Sequence, residues 1–519
     1  MIQIKKIIGL TALFALSISA SRGQGIQIDT LIPRDYLPKL RAIKTIHQVG
    51  HATMLGMSGK VEMWFAAPDR MTVSFDLGIL KMIQGYDGGR AWIKDQNNQV
   101  MELTGNERKK VVNSVYLAGE SYLVKDRMPG TVAYLKDTLI SSQKYAIFSA
   151  LPDGGDSIRI FLNRNSGRVD IAEEKMDEIS IFTYSTDYRI IDGYPVAFDS
   201  RTESTLPQLN SVIKLDSVQF NVPVERAIFG AVADTTIDYF FPPDIDSVVV
   251  PMKYDKGHIF ITARVAGEDS VYFVLDSGAG INIIDKTFAE THGIKFEGDI
   301  AAKGVAGYQS AAITEVDSIK LGEIVLLNQK EAVTDVASIG LVAPGTLGGV
   351  MGYDLASRFP FLVDYAGEKV IFYNPRRFHR PDSSLAIPFE FIMKIPAVTA
   401  EIDGYKGKFL IDLGNAFGLI IHKSFADKYN LEKGFTDIRD MNKAIGGVGG
   451  VSSAKAAVGE SLLVGPVKIE KPPLLLAEGD SGILRSTEID GNIGNLMLQQ
   501  FSVLFDYSEK TVYFMPARR

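Results

Sequence analysis

Between about Asp35 and Phe220, apolar and polar residues alternate in short runs, as in Lys60-Val61-Glu62-Met63-Trp64-Phe65 and Met71-Thr72-Val73-Ser74-Phe75. A period of two is the pattern of strands with one face on a core and the other in water. Gly88-Gly89, Asn97-Asn98, Asp153-Gly154-Gly155 and Asn165-Ser166-Gly167 punctuate the runs with residues suited to hairpin turns. An antiparallel sheet is predicted, with one helix over 106–118 and another over 36–45. The Pro- and Asp-rich stretch Phe241-Pro242-Pro243-Asp244-Ile245-Asp246 interrupts the pattern, and Pro375, Arg376, Arg377, Arg380, Pro381 and Asp382 interrupt it again. These breaks predict a curved-sheet domain over 25–240, followed by two blocks of similar length at 250–377 and 384–519.

The first two dozen residues read differently. Lys5 and Lys6 precede an apolar run from Ile7 to Ile18, which is followed by Ser19, Ala20 and Ser21. Charge, short apolar core and small residues, in that order, make a secretory signal peptide, predicted over 1–24. The run is shorter than the ~20 residues a membrane span needs, and no later stretch reaches that length without a charge. The expectation is an exported protein, periplasmic or extracellular, with no stable membrane span after signal cleavage.

Composition narrows the chemistry. The 519 residues hold no cysteine, which removes disulfides, thiolate metal sites and a cysteine nucleophile. With 55 Lys+Arg against 62 Asp+Glu the net charge is −7, so nucleic acid is not expected as a partner.

The two later blocks repeat one another. Phe273-Val274-Leu275 runs into Asp276-Ser277-Gly278, and Phe409-Leu410-Ile411 runs into Asp412-Leu413-Gly414. Gly352 is followed twelve residues on by Asp364, and Gly494 twelve residues on by Asp506; eight residues after each aspartate comes Phe372 or Phe514. Generic strand similarity explains alternation but not matched offsets. A strand ending in Asp-x-Gly presents a carboxylate beside a residue that permits close backbone approach. Two such carboxylates from repeated lobes can meet at an approximate two-fold axis. At ~3 Å they cannot both ionise cheaply, so they share one proton and serve as a base and an acid toward a bound water.

Phe273-Val274-Leu275-Asp276-Ser277-Gly278-Ala279 with Val350-Met351-Gly352 resembles a lobe of the retropepsin-like aspartic proteases. Asp412-Leu413-Gly414-Asn415-Ala416 with Asn492-Ile493-Gly494 is similar to a second lobe in the same chain. The resemblance implies a bilobed all-β acid-protease fold with Asp276 and Asp412 as catalytic dyad, Ser277, Gly278, Leu413 and Gly414 as the supporting loops, and a peptide or protein substrate. It also implies Gly-rich flaps, for which Gly304-Val305-Ala306-Gly307-Tyr308 and Gly446-Gly447-Val448-Gly449-Gly450 are the candidates. Gly304, Gly307, Tyr308, Gly447 and Gly449 would then border substrate. No cofactor and no metal are implied. Leu413 departs from the Ser/Thr of the family and removes half of a reciprocal hydroxyl support, worth ~1–3 kcal/mol if an amide is left unpaired. A scaffold that binds an envelope peptide or lipid without cleaving it is the alternative reading.

Pro68-Asp69-Arg70, Gly85-Tyr86-Asp87-Gly88 and Ala91-Trp92-Ile93 are similar to lipoprotein-carrier domains, over about 39–222. That likeness implies a curved sheet whose cavity holds a hydrophobic ligand, a peptide, or nothing. Other signals are bland. His47 and His51 lack an accompanying acid in metalloprotease order, and His258, His292, His379 and His422 have no ligand spacing. Gly345-Thr346-Leu347-Gly348-Gly349 lacks the Lys-Ser/Thr of a phosphate loop, and Asp364 and Asp506 read as turn residues.

Overall fold

Thirteen strands between Thr45 and Phe220 form one continuous antiparallel sheet. The computed structural model describes residues 26–516 apart from 177–178, 232–236, 266, 268–269, 337–340, 383 and 480, so the segment read as a signal peptide lies outside the described residues. From Thr45–Met54 the chain meanders outward to Val100–Leu103, crosses through the helix Gly105–Ala118, restarts at the opposite edge with Gly130–Ile140, and meanders back to Ser211–Phe220. That last strand pairs with the first. Alternation sets the faces: in the strand Met57–Ala66, Val61 and Phe65 point into the core while Lys60 and Glu62 are exposed.

The sheet curves around the helix. Val111, Val112, Val115 and Tyr116 are fully enclosed in a cluster with Phe65 and Met71 from one half of the sheet and Phe148 and Ile160 from the other. The other expected helix is shorter than 36–45: it spans Tyr36–Ala42, because Thr45 is already recruited as the first residue of a central strand. Among the described residues no helix is long and apolar enough to cross a membrane.

The remaining chain folds as two β lobes joined by a shared sheet. In that sheet Ser247–Asp255, Lys369–Tyr373 and Phe361–Asp364 of the first lobe are followed by Phe501–Asp506, Thr511–Pro516 and Leu385–Pro388. The order reads alike from either end. At its centre Phe361 faces Phe505, Leu362 faces Leu504 and Val363 faces Val503, antiparallel, which is the register of a two-fold axis through the Leu362–Leu504 pair. The Phe361 and Phe505 rings stack at 4.9 Å, and one apolar core runs through both lobes. Asp364 and Asp506 accept N–H groups of the turns after them, as expected: Gly367 at 2.9 Å, Ser508 and Glu509 at 3.1 Å.

The 45–220 sheet is locked to both lobes by buried polar groups. Its Asp95–Asn98 turn inserts Asn97, whose amide nitrogen donates to Lys330 O at 2.9 Å and Asp354 Oδ1 at 3.0 Å, and whose oxygen accepts the Lys330 N–H at 2.8 Å. Beside it Lys394 of the second lobe pairs with buried Asp95 at 2.5 Å. Arg358 lies in the same interior, paired with Asp238 and donating to the Asp354 carbonyl. Glu331 is also buried here; burial and then the Asp354 charge push its carboxyl up to about 8. Burial is tolerable for these ions only because each has its partner. Lys394→Met should therefore leave buried Asp95 without its cation and lower stability by about 3 kcal/mol, read as a lower midpoint in urea unfolding; an unchanged midpoint would contradict this account of the junction.

Candidate active site

In each lobe an apolar strand stops at an aspartate beside a parallel partner. Val271–Leu275 runs parallel to Leu347–Met351, and Tyr405–Ile411 parallel to Gly491–Ile493. The Asp276 N–H donates to Met351 O and the Asp412 N–H to Ile493 O, both at 2.9 Å. After a tight loop each chain returns on the other side of the same partner, as Ile283–Asp285 and Leu419–Ile421. The loops 276–282 and 412–418 therefore occupy equivalent places, and the shared sheet turns them face to face.

Asp276 and Asp412 meet there. A Cβ on Gly278 would overlap the Asp412 carboxyl and one on Gly414 would overlap that of Asp276, so each carboxyl lies against the opposite loop and the two are neighbours. Glycine at 278 and 414 is thus a requirement of the approach, which accounts for the residue type repeated in both loops. Asp276 Oδ1 accepts the Gly278 N–H at 2.7 Å, and Asp412 Oδ1 accepts the N–H groups of Gly414 and Asn415 at 3.0 Å. Burial, and for Asp276 the neighbouring Asp412 charge, raises both carboxyls above the usual range. Both residues are half-buried. Enclosed carboxyls in contact hold one proton between them and supply one base and one acid.

The support beneath the pair is one-sided. Ser277 Oγ donates to Ile411 O at 2.7 Å and accepts the Leu413 N–H at 3.0 Å. Leu413 returns no such contact; its side chain is fully buried in the common core instead. The departure seen in the sequence is thus answered by apolar packing, and the Leu413 amide itself is not orphaned.

Both Gly-rich segments are hairpin tips. Phe296–Gly304 pairs with Gly307–Leu321, and Thr436–Gly447 with Gly450–Val458, closing at Gly304–Gly307 and Gly447–Gly450. The tips pack on each other: Gly304 lies against Val448, Gly447 against Val305, and Gly449 against Gly307, and a Cβ at Gly304 or Gly449 would strike the opposite backbone. Tyr308 is the second residue of the return strand of the first hairpin, opposite Lys303. The first hairpin is also held from outside, where the Asp299 N–H donates to Leu55 O of the N-terminal sheet at 2.7 Å.

Two residues beside the dyad, Asn492 and His422, carry no site role in the sequence pattern. Asn492 donates from Nδ2 to Asp412 Oδ2 at 2.8 Å, and His422 reaches Asn492 Oδ1 through Nε2 at 2.9 Å. His422 carries no ligand spacing, which is why it read as scattered; its position immediately after the second lobe's returning strand was the available signal. Of the other histidines, His258 is near enough to Asp412 for its charge to oppose the downward push of burial on the ring, whereas His47 contacts Glu62 at 2.8 Å and stacks on Trp64, and His51 contacts Asp216 at 3.0 Å. Among the described residues no group of three His, Asp or Glu side chains is arranged to hold a metal ion.

Residues 261–355 match the family described as "Aspartyl protease". No curated protein matches the chain. Among solved structures, a DUF1329 family protein from Desulfovibrio piger is 14% identical with a TM-score of 0.29, covering 37% of this chain and 92% of that one. A putative outer membrane lipoprotein-sorting protein domain from Vibrio parahaemolyticus is 11% identical with a TM-score of 0.28, covering 37% of this chain and 93% of that one. The matched stretch lies within the first lobe and contains Asp276, Ser277, Gly278, the first hairpin tip and Gly352.

Proposed function

We propose that the chain is an exported aspartic-type endopeptidase in which Asp276 and Asp412 activate one shared water. The observation that carries this reading is the pair of neighbouring aspartates, each against the glycine of the other's loop, on equivalent loops of two lobes. The ionised member takes a proton from the water as it attacks an amide carbonyl, and the protonated member gives its proton to the developing oxyanion. Substrate lies as an extended strand between the dyad and the hairpin tips, with Gly304, Gly307, Tyr308, Gly447 and Gly449 along its main chain. The segment 1–24 directs export to a periplasm or the exterior. A cavity of about 370 Å³ in the N-terminal sheet, lined by Leu40, Leu117, Leu215 and Phe220 with Glu120 and Tyr194, is the place for a hydrophobic ligand.

Digestion of a mixed peptide library at several pH values tests the activity. The wild type should cleave, and Asp276→Asn and Asp412→Asn should each lower kcat by roughly 10³-fold or more; undiminished cleavage by either variant would sink the assignment. A scaffold without activity would leave the library intact in the wild type as well.

The dyad also makes a prediction for stability. Its folded carboxyls titrate above the unfolded value of about 3.9, so between those values the folded chain binds more protons than the unfolded chain. Stability from this source is fully present below the unfolded value and is lost as pH rises. Asp276→Asn should thus be more stable than wild type at pH 7 in urea unfolding, with the gap closing toward pH 4. A gap that widens on acidification would overturn the assignment of raised values.

A further inference from the structure

Around the dyad the two lobes repeat their backbone but not the polar side chains they bring to it. Val350 pairs with Val274 and Asn492 with Leu410, each partner standing two residues before its aspartate, so Val350 and Asn492 hold equivalent places. Val350 is buried in an apolar cluster and carries no donor. Asn492 is buried too, and its Nδ2 donates to Asp412 Oδ2 at 2.8 Å.

Hydrogen-bond donors are therefore unequally divided. Asp412 accepts the Gly414 and Asn415 N–H groups on Oδ1, each at 3.0 Å, and the Asn492 amide on Oδ2. Asp276 accepts the Gly278 N–H on Oδ1 at 2.7 Å. Ala279, which stands where the second lobe has Asn415, gives its N–H to the Asp276 backbone carbonyl at 3.3 Å instead. Donors stabilise a carboxylate more than a carboxylic acid. In a pair that holds one proton, the better-served carboxyl keeps the charge and the proton goes to its neighbour.

We propose that Asn492 is a positioning residue that holds the single negative charge of the dyad on Asp412, making Asp412 the base and Asp276 the proton-bearing acid.

The roles then follow in order. Asp412 takes a proton from the water as its oxygen bonds to the amide carbon, and Asp276 gives its proton to the carbonyl oxygen. Asp412 next passes the water's proton to the nitrogen as the C–N bond breaks, and Asp276 recovers a proton from the hydroxyl, which restores the starting state.

The surroundings lean the same way. His422 Nε2 lies 2.9 Å from Asn492 Oδ1, so a ring with its proton on Nε2, neutral or charged, keeps the carbonyl there and turns the NH2 to Asp412. His258, on the strand His258–Val265, is lowered by burial and raised by the Asp412 and Asp255 charges; a proton on it favours an ionised Asp412. Tyr507 lies near both carboxyls and burial keeps its phenol neutral. Burial raises both aspartates; the Asn492, Asn415 and Gly414 hydrogen bonds oppose the rise in Asp412, while the Asp412 charge adds to it in Asp276.

The test follows full-length protein labelled with 13C-Asp and 15N-His through pH by NMR, beside the pH profile of kcat/KM. In the wild type the Asp412 carboxyl should titrate in the lower of the two dyad steps and Asp276 in the upper, with His422 protonated on Nε2; this needs no variant. Asn492→Val, which copies the first lobe, should raise the lower step and the acidic limb of the profile by about one pH unit and move the upper step less. Val350→Asn, which gives Asp276 the same amide, should lower the upper step. Were Asp276 the ionised partner, Asn492→Val would leave the lower step in place and raise the upper one. That result, Asp276 titrating first, a bare His422 Nε2, or a lower kcat with both limbs unmoved would overturn the proposal. Its acid and base roles rest on the peptidase reading, and the two can fail separately. A raised lower step in a protein that cleaves nothing would uphold the charge assignment and refute the peptidase; cleavage lost in Asp276→Asn, with both steps unmoved by Asn492→Val, would do the reverse.

Discussion

The antiparallel pairing of Phe361–Asp364 with Phe501–Asp506 is the constraint on which the site depends. Equivalent strands paired about Leu362 and Leu504 impose a two-fold relation on everything attached to them. Asp276 and Asp412 lie 136 positions apart in the chain, yet that relation makes them neighbours. The stacked Phe361 and Phe505 rings and the core continuous with both lobes remove freedom to slide, since a shift by one residue would turn the buried faces out. Contact of two carboxyls is unfavourable by itself, and it persists because the packing of two lobes holds it in place.

Within that symmetric frame the polar detail is asymmetric. Ser277 ties two backbone groups of the second lobe, while Leu413 fills the core and returns nothing. The second lobe instead carries an amide on the outer oxygen of its aspartate, where the first has Val350. The proposed mechanism needs unlike partners, one base and one acid, and a symmetric backbone cannot distinguish them. Differences in a few side chains in and around equivalent loops are the economical place for that distinction.

The N-terminal sheet bears on the same region. Its Asn97 hydrogen-bonds Asp354, whose other oxygen accepts the Asn282 N–H at 2.8 Å, and Asn282 in turn accepts the Gly352 N–H at 2.7 Å. Asn282 ends the loop that begins at Asp276. At the opposite side the Glu488 carboxylate accepts the Asn106 N–H at 2.7 Å. The sheet is therefore wedged against both lobes rather than tethered to them, and its polar contacts lead by short steps to the first aspartate loop.

Strand periodicity, the Gly-rich hairpin tips and the duplicated Asp-x-Gly loops were all legible in the residues, because each is a local property: burial alternates with the pleat, tight turns demand glycine, and a repeat preserves its spacing. Even the reason for Gly278 and Gly414 could be stated in kind before their neighbours were known. Which groups meet is different. The sheet shared between lobes, the insertion of Asn97 beside Lys394 and Asp95, and the line from His422 through Asn492 to Asp412 join residues tens to hundreds of positions apart. No local pattern encodes such meetings. By itself the sequence determined that two carboxylates stand at equivalent strand ends; only the tertiary structure decided that they touch, and that one of them has an imidazole behind it, because proximity between distant segments is set by how whole sheets pack.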